Sequence, residues 1–485
     1  MELTFDFDTV KRKPKIISEF LGPIREVFSV EDKSQSFIRR RLGRNLPIRK
    51  YAITAAGYFD MPFYQVIKHT ITQKFPTLNI THTDEFSKKV QNNPITNNLP
   101  ALNFTPRDYQ EESALQALKN GCGVIVLPTS AGKTLVIALI AKAFVNQHDN
   151  NRVVILVPNL QLVHQTYKDF TEDFGIKPEL VSIWTGNNDY SDTKIVIANY
   201  QIIQSEKQNG KDLLKTFNCC IIDECHKIAS AEKITKLIKT LNFKNIFGFT
   251  GSLPKEQFDI WSINRVFGPV IYFKKSIELR KTKHISNVKI VALELNYKNI
   301  PEFTKPSLDN PTAGYEEENT WLQTNEFRNS VIVNLLSKLT SNTLVLVDRI
   351  AHGEFLFDCF TNNNLLSDKR VYFIQGSVDV EEREKIRELM ENSDNIICIA
   401  ISKIFSTGIS IKNLHNVIFA AIGKARIKII QSIGRSLRLH HTKNAATIFD
   451  IADISLRYGH KHFAERKELY EHEKISLISK NIFES

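Results

Sequence analysis

Ten short, continuously apolar runs constrain the fold of this chain more than any other feature. The first five are Val124–Leu127, Val153–Val157, Ile195–Ala198, Cys219–Ile222 and Ile246–Thr250, each followed by a stretch of helical composition. Strands that face water on one side alternate apolar and polar residues, whereas unbroken apolar runs belong to strands covered on both faces, the condition met in parallel sheets. The second five, Leu344–Val347, Val371–Ile374, Ile396–Ala400, Val417–Ala420 and Thr447–Phe449, repeat the pattern. The spacing predicts two α/β lobes in tandem, and 485 residues are too many for one core, since cores stop growing near ~250–300 residues.

Other parts of the chain fall outside this pattern. Residues before about 100 end in the loop-like Gln91-Asn-Asn-Pro-Ile-Thr-Asn-Asn-Leu-Pro100, and within them Met61 to Phe75 places Phe63, Val66, Ile67, Thr70, Ile71 and Phe75 near one helical face, with Pro62 in the first turn. A small accessory α/β domain is expected there. The stretch Pro254–Phe327, with Pro301, Pro306, Pro311 and Gly314, reads as a crossover and linker. The tail from Leu456 to Ser485 reads as a helix packed on the second lobe.

A net charge of +11 favours a polyanionic partner. The start, Met1-Glu-Leu-Thr-Phe-Asp-Phe-Asp8, lacks the basic and apolar regions of a signal peptide, and no apolar stretch reaches the ~18–20 residues of a membrane helix, so a cytoplasmic protein is expected. Six cysteines, at 122, 219, 220, 225, 359 and 398, make no disulfide framework. Cys219, Cys220, Cys225 and His226 invite a metal reading, but residues adjacent on a strand point to opposite faces, which favours buried, reduced thiols.

Three motifs carry chemistry. Leu127-Pro-Thr-Ser-Ala-Gly-Lys-Thr134 sits between a strand and the helix expected over Leu135–Phe144. A turn of this kind aims backbone N–H groups at a triphosphate while a lysine neutralises outer charge and a hydroxyl reaches a magnesium ion. Leu127 stands where the general G-x-x-x-x-G-K-[ST] pattern has glycine. Asp223-Glu-Cys-His226 follows an apolar strand, and α/β sheets bind ligands at that carboxyl end; Asp223 is suited to hold Mg²⁺ and Glu224 to polarise the attacking water. Gln431-Ser-Ile-Gly-Arg-Ser-Leu-Arg438 puts Arg435 and Arg438 three residues apart, on one face if helical. Guanidinium groups that reach a γ-phosphate are worth roughly 10³–10⁵ in rate.

Together these residues resemble superfamily 2 helicases of the DExH type, with the match running from about Thr105 to Asp450. Arg107-Asp-Tyr-Gln110 is similar to the adenine-reading motif. Val157-Pro-Asn-Leu160 with Gln165, and Ala198-Asn-Tyr-Gln201, are similar to strand-contacting motifs. Thr250-Gly-Ser252 stands in the place of the Ser/Thr-Ala-Thr coupling motif, with glycine departing from the pattern, and Phe405-Ser-Thr-Gly-Ile-Ser410 resembles the fifth motif. More narrowly, the loop, the Asp-Glu-Cys-His box, Thr-Gly-Ser and Phe-Ser-Thr-Gly-Ile-Ser resemble the UvsW-type helicases of tailed bacteriophages.

The resemblance implies an α/β fold of two tandem RecA-like lobes with a small N-terminal accessory domain: residues 1–97 accessory and DNA-binding, 98–279 the ATP-binding lobe, 280–485 linker, second lobe and C-terminal helix. It implies ATP and Mg²⁺ as cofactors, with ATP held by Arg107, Gln110, Pro128, Thr129, Ser130, Ala131, Gly132, Lys133, Thr134 and Gly408, and the metal by Thr134 and Asp223. Catalysis falls to Lys133, Asp223, Glu224, Gln431, Arg435 and Arg438, and coupling to His226, Thr250 and Ser252. Nucleic acid is expected at Pro158, Asn159, Gln165, Gln201 and Thr407. The stretch Lys33–Lys50 contains Arg39, Arg40, Arg41, Arg44, Arg49 and Lys50 and no acid, so it suits phosphate contacts. Tyr51 and Phe59 nearby suit either base stacking or, more readily, core packing.

The implied activity is ATP-driven remodelling of branched or double-stranded DNA: Holliday junction migration, fork regression and displacement-loop unwinding in phage recombination, repair and replication. A monomer in the host bacterial cytoplasm is expected, with single-strand-binding or recombination proteins as partners. The motor motifs do not choose the sugar, so an RNA helicase stays open, as does the motor subunit of a restriction system, although no paired-carboxylate nuclease motif is evident.

Overall fold

The computed structural model describes residues 1–32, 48–90, 94–128, 131–185, 192–200, 214–229, 232–241, 243–282, 287–303, 313–375, 380–402, 413–420, 445–472 and 475–484. The chain divides into two compact units, Met1–Pro128 with Gly132–Lys274, and Lys275–Ser485 with Thr129–Ala131. Among the described residues no helix is long and apolar enough to cross a membrane.

The first unit begins with β1 (Glu2–Asp8), β2 (Lys13–Ile17), β3 (Ser29–Glu31), β4 (Arg49–Tyr51) and β5 (Asn79–His82). β1 is flanked by antiparallel β2 and parallel β5, while β3 and β4 form a separate antiparallel pair. The expected amphipathic segment is a 3₁₀ turn, Met61–Phe63, followed by the helix Tyr64–Lys74, which buries Tyr64, Ile67 and Ile71. Phe59 joins this core, whereas the Tyr51 hydroxyl donates to Glu26 at 2.7 Å. The N-terminal core also takes in Trp261 from the helix Gln257–Phe267, whose ring lies 5.7 Å from Phe28 and 6.5 Å from Phe63.

The first large sheet comprises β6 (Cys122–Val126), β7 (Val153–Val157), β8 (Val181–Trp184), β9 (Ile195–Asn199), β10 (Cys219–Ile222), β11 (Asn245–Thr250) and β12 (Val270–Phe273). Its order is β12-β6-β11-β10-β7-β9-β8, and every pairing is parallel. Burial on both faces is nearly complete: β7, β9, β10 and β11 have no exposed residue, as their unbroken apolar sequences require.

The second unit repeats the plan with β13 (Asn287–Asn296), β14 (Thr343–Val347), β15 (Arg370–Ile374), β16 (Ile396–Ile401), β17 (Asn416–Phe419), β18 (Ala445–Ala452) and β19 (Ser476–Phe483). These form an all-parallel sheet in the order β15-β16-β14-β17-β18-β13-β19, with separate apolar cores on its two faces.

Two expectations are corrected. Pro254–Phe327 is not mainly a linker: it supplies the helix Gln257–Phe267, the edge strand β12 and the ten-residue β13, which lies inside the second sheet. Ile290, Ala292 and Leu295 are fully buried there, so an apolar run among polar neighbours was strand after all. The tail is a helix, Arg457–His472, only in its first half; the rest is β19, a largely exposed edge strand whose few apolar residues gave little strand signal.

Candidate active site

Sheet order explains why three distant motifs meet. β6, β11 and β10 are neighbours, so Leu127, Thr250 and Asp223 emerge together at their carboxyl ends. The Leu127 N–H donates to the Thr250 carbonyl at 3.0 Å, and the Asp223 N–H donates to the Leu156 carbonyl at 2.9 Å, extending the ladder past the strands into the site.

After Leu127 the chain turns into the helix Lys133–Val145, whose N-cap is Gly132 at φ +75°. Left-handed backbone there favours glycine, and glycine has no side chain to cap the helix, so the helix N-terminus is suited to an anion. Space imposes the same choice, because a Cβ at Gly132 would lie 2.3 Å from Gln110 Nε2. Gln110 is itself buried, and its Oε1 accepts from the Arg107 N–H at 2.9 Å. Lys133 is buried with its Nζ 3.4 Å from the Leu127 carbonyl, and Thr134 is half-buried. Ala131 is buried and Pro128 closes the strand side of the turn; Thr129 and Ser130 lie outside the described residues.

Across the sheet end, Glu224 adopts φ +51° and is 6% exposed, a strained backbone for a non-glycine residue and one that clusters at functional sites. Its N–H donates to Asp223 Oδ1 at 2.9 Å, so the turn holds the aspartate in place. His226 Nδ1 lies 3.3 Å from Glu224 Oε2 and 2.9 Å from Thr250 Oγ1. The Thr250 hydroxyl is 2.7 Å from the Ser252 carbonyl, its natural acceptor; donation there leaves Nδ1 as the protonated nitrogen of His226. A continuous chain thus runs Glu224, His226, Thr250, Ser252. Cys219, Cys220 and Cys225 are buried free thiols, each pushed up by burial, and Cys225 is further raised by Glu224 and Asp223.

Tyr200 was not assigned a role from sequence, although it lies in the Ala198-Asn-Tyr-Gln motif. Its hydroxyl donates to the Asp223 carbonyl, and burial first, then the two acids, push its phenol well above the usual range, so it stays a donor. The signal available was only its position one residue past β9. Beside it, Pro158 and Asn159 follow β7, where Asn159 Oδ1 caps the helix Leu160–Lys168 by accepting from Leu162 N–H at 2.9 Å; Gln165 on that helix is half-buried.

Arg39, Arg40, Arg41, Arg44, Gln201, Thr407, Gly408, Gln431, Arg435 and Arg438 lie outside the described residues. Of the basic stretch, Arg49 and Lys50 are described, and both have acidic partners: Glu26 at 3.3 Å and Asp32 at 2.9 Å.

Comparison with known proteins agrees with this geometry. Residues 103–255 match the family model described as the res subunit of type III restriction enzymes, and residues 328–440 match the helicase conserved C-terminal domain. The chain is 31% identical over 404 residues to the ATP-dependent DNA helicase UvsW of Enterobacteria phage T4, covering 78% of this chain and 77% of that protein. It is 23% identical over 349 residues to the XPB/SSL2 helicase/translocase subunit of transcription and DNA repair factor IIH from Saccharomyces cerevisiae, covering 68% of this chain and 39% of the relative. Among solved structures, the type ISP restriction-modification enzyme LlaBIII bound to DNA shares the fold at a TM-score of 0.58 and 15% identity, over 85% of this chain and 34% of that one. With two parallel seven-stranded sheets, the loop and acid box at adjacent strand ends, and these matches, the chain belongs to the superfamily 2 helicases of the UvsW type.

Proposed function

We propose that this protein is an ATP-driven DNA helicase that remodels branched DNA, migrating four-way junctions, regressing forks and unwinding displacement loops in the host bacterial cytoplasm. The observation that carries the reading is the convergence of Lys133, Asp223, Glu224, His226 and Thr250 at the ends of three adjacent strands, in a chain 31% identical to a phage DNA helicase.

The triphosphate fits over the helix N-terminus at Gly132, with Lys133 neutralising its outer charge and Gln110 and Arg107 flanking the base side. Thr134 and Asp223 are the oxygen donors suited to Mg²⁺, which when bound neutralises phosphate charge. Glu224 orients the attacking water and accepts its proton. Its bond to His226 passes any movement of that carboxylate to Thr250 and Ser252, the path by which hydrolysis is coupled to DNA. Gln431, Arg435, Arg438 and Gly408 are assigned to the nucleotide from the second lobe, and Thr407, Gln201, Gln165, Asn159 and Pro158 to the nucleic-acid strand. Arg39, Arg40, Arg41 and Arg44 are assigned to duplex phosphates. Alternating grip of this kind needs contacts that differ between nucleotide states.

The test is ATP hydrolysis by the parent and by Glu224→Gln, with and without DNA. DNA-stimulated turnover in the parent, and its loss in the variant with nucleotide binding retained, is expected; equal rates would remove Glu224 from the chemistry.

A further inference from the structure

The β1–β2 hairpin presents a second basic feature, separate from the stretch before β4. Residues 11–15 hold four cations, Lys11, Arg12, Lys13 and Lys15, and the first three are exposed beside Val10, which is 92% exposed. In the strand register Asp8 faces Lys13 and Asp6 faces Lys15, so four cations oppose two acids and two positive charges remain, gathered at the turn.

The turn is built to hold its shape. Asp8 Oδ1 accepts from the N–H groups of Val10 and Lys11 at 3.0 and 2.9 Å, and Oδ2 accepts from the Tyr58 hydroxyl at 2.6 Å. The Lys11 amide and then the Tyr58 hydroxyl hold the Asp8 carboxyl below its usual range. The ammonium groups of Lys11 and Lys15 lie 4.7 and 5.6 Å from the centre of the Tyr58 ring. Arg12 at the tip has φ +51°, a conformation arginine rarely adopts.

The hairpin pairs with residues 57–59, where the Ile16 N–H donates to the Gly57 carbonyl and the Phe59 N–H to the Pro14 carbonyl, and the segment that follows is fixed to helices of the first large sheet. Asp60, two residues past Tyr58, accepts from Lys239 at 2.8 Å and Arg265 at 2.6 Å; burial opposes its ionisation, and the two cations prevail and hold its carboxyl below the usual range. Burial pushes Lys239 below its usual range against the opposing pull of Asp60, with Arg265 and then Lys13 acting in the same direction as burial. The aromatic contacts of Trp261 with Phe28 and Phe63 complete the attachment.

We propose that the hairpin tip, Lys11, Arg12 and Lys13, is a phosphate-backbone contact for double-stranded DNA, carried rigidly on the nucleotide-binding lobe. The inference rests on the DNA-helicase reading above. Point charges on a narrow exposed turn, with one apolar side chain beside them, suit a phosphate ladder read without sequence preference and offer too little apolar area for a membrane. Held at both its base and its side, such a contact transmits motion of the lobe to the duplex instead of absorbing it.

The test compares the full chain with Lys11→Gln/Arg12→Asn/Lys13→Gln, asparagine being chosen because it tolerates left-handed backbone. Fluorescence anisotropy with a labelled DNA duplex over a salt series reads the slope of log affinity against log salt. Each lost phosphate contact lowers that slope by about 0.9, so a fall of about 2 to 3 is expected, with basal ATP hydrolysis unchanged. The charge-retaining Lys11→Arg/Arg12→Lys/Lys13→Arg should keep the parent slope. An unchanged slope in the neutralised variant, with the parent still stimulated by duplex, overturns the hairpin contact alone. A parent that no DNA stimulates overturns the helicase reading beneath it.

Discussion

The two large sheets are built alike and treat charge at their strand ends in opposite ways. In the first, Lys133, Asp223, Glu224 and His226 gather at the carboxyl ends, and His226 is about one-third exposed. In the second, β18 and the residue that follows it supply two buried aspartates that are internally neutralised: Asp450 accepts from Arg466 at 2.8 Å and Tyr470 at 2.7 Å, and Asp453 from Arg328 at 2.9 Å and Tyr297 at 2.7 Å. The first set is tied together by short contacts among its own members: the Glu224 N–H to Asp223, and His226 to both Glu224 and Thr250. The second has its arginine and tyrosine partners already, and ties the helices Glu326–Ser337 and Arg457–His472 to the sheet. The same end of two similar sheets thus gathers a lysine, two acids and a histidine in one, and in the other acids each locked to an arginine and a tyrosine.

This contrast can be broken by substitution. The largest effect is expected at Lys133→Ala, which should lower ATP hydrolysis by about 10²–10³-fold or more while leaving the melting temperature near that of the parent. A matching loss of stability would make Lys133 a structural residue. Asp453→Asn should do the reverse: removing one member of a buried pair costs about 3–5 kcal/mol, seen as a lower midpoint in denaturant unfolding of the second unit, with Arg328 left uncompensated. A neutral result there would mean that water reaches the pair.

Thr250→Ala sharpens the comparison within the first sheet. It cuts the chain from His226 to Ser252 without touching Lys133 or Asp223, so hydrolysis should fall less than about tenfold while DNA unwinding per ATP falls further. Equal losses in the two assays would place Thr250 in the chemistry itself. The smallest effect is expected at Glu85→Gln, whose ion pair with Lys88 at 3.0 Å is exposed on both sides; the midpoint of denaturant unfolding should stay at the parent's value within measurement error.

How much could be read beforehand follows from the same physics. Strands buried on both faces announce themselves, and Val153–Val157 and Cys219–Ile222 have the bounds their sequences suggest. The edge strands β8, β12 and β19, which pair on one side only, do not, and β13, though flanked on both sides, begins and ends in polar residues; the edge strand β15 is legible because it keeps an apolar run. At the candidate site, the placement of Lys133, Asp223 and Glu224 shortly after strands was legible because each follows an apolar run. The Tyr200 hydroxyl on Asp223 and the packing of Gln110 on Gly132 were not, since each depends on the order β6-β11-β10-β7-β9 and on the placement of the preceding helix, which no local pattern encodes. The hairpin cations were overlooked because two acids beside them in sequence hide a charge separation visible only once the strands pair.

The most direct test of the account is ATP-dependent processing of a four-way junction, a model fork and a simple overhang by the parent and by Lys133→Ala. The account predicts that the parent resolves the junction and fork in preference to the overhang and that Lys133→Ala binds all three and processes none. Preference of the parent for the overhang, or junction processing that survives in Lys133→Ala, would contradict it.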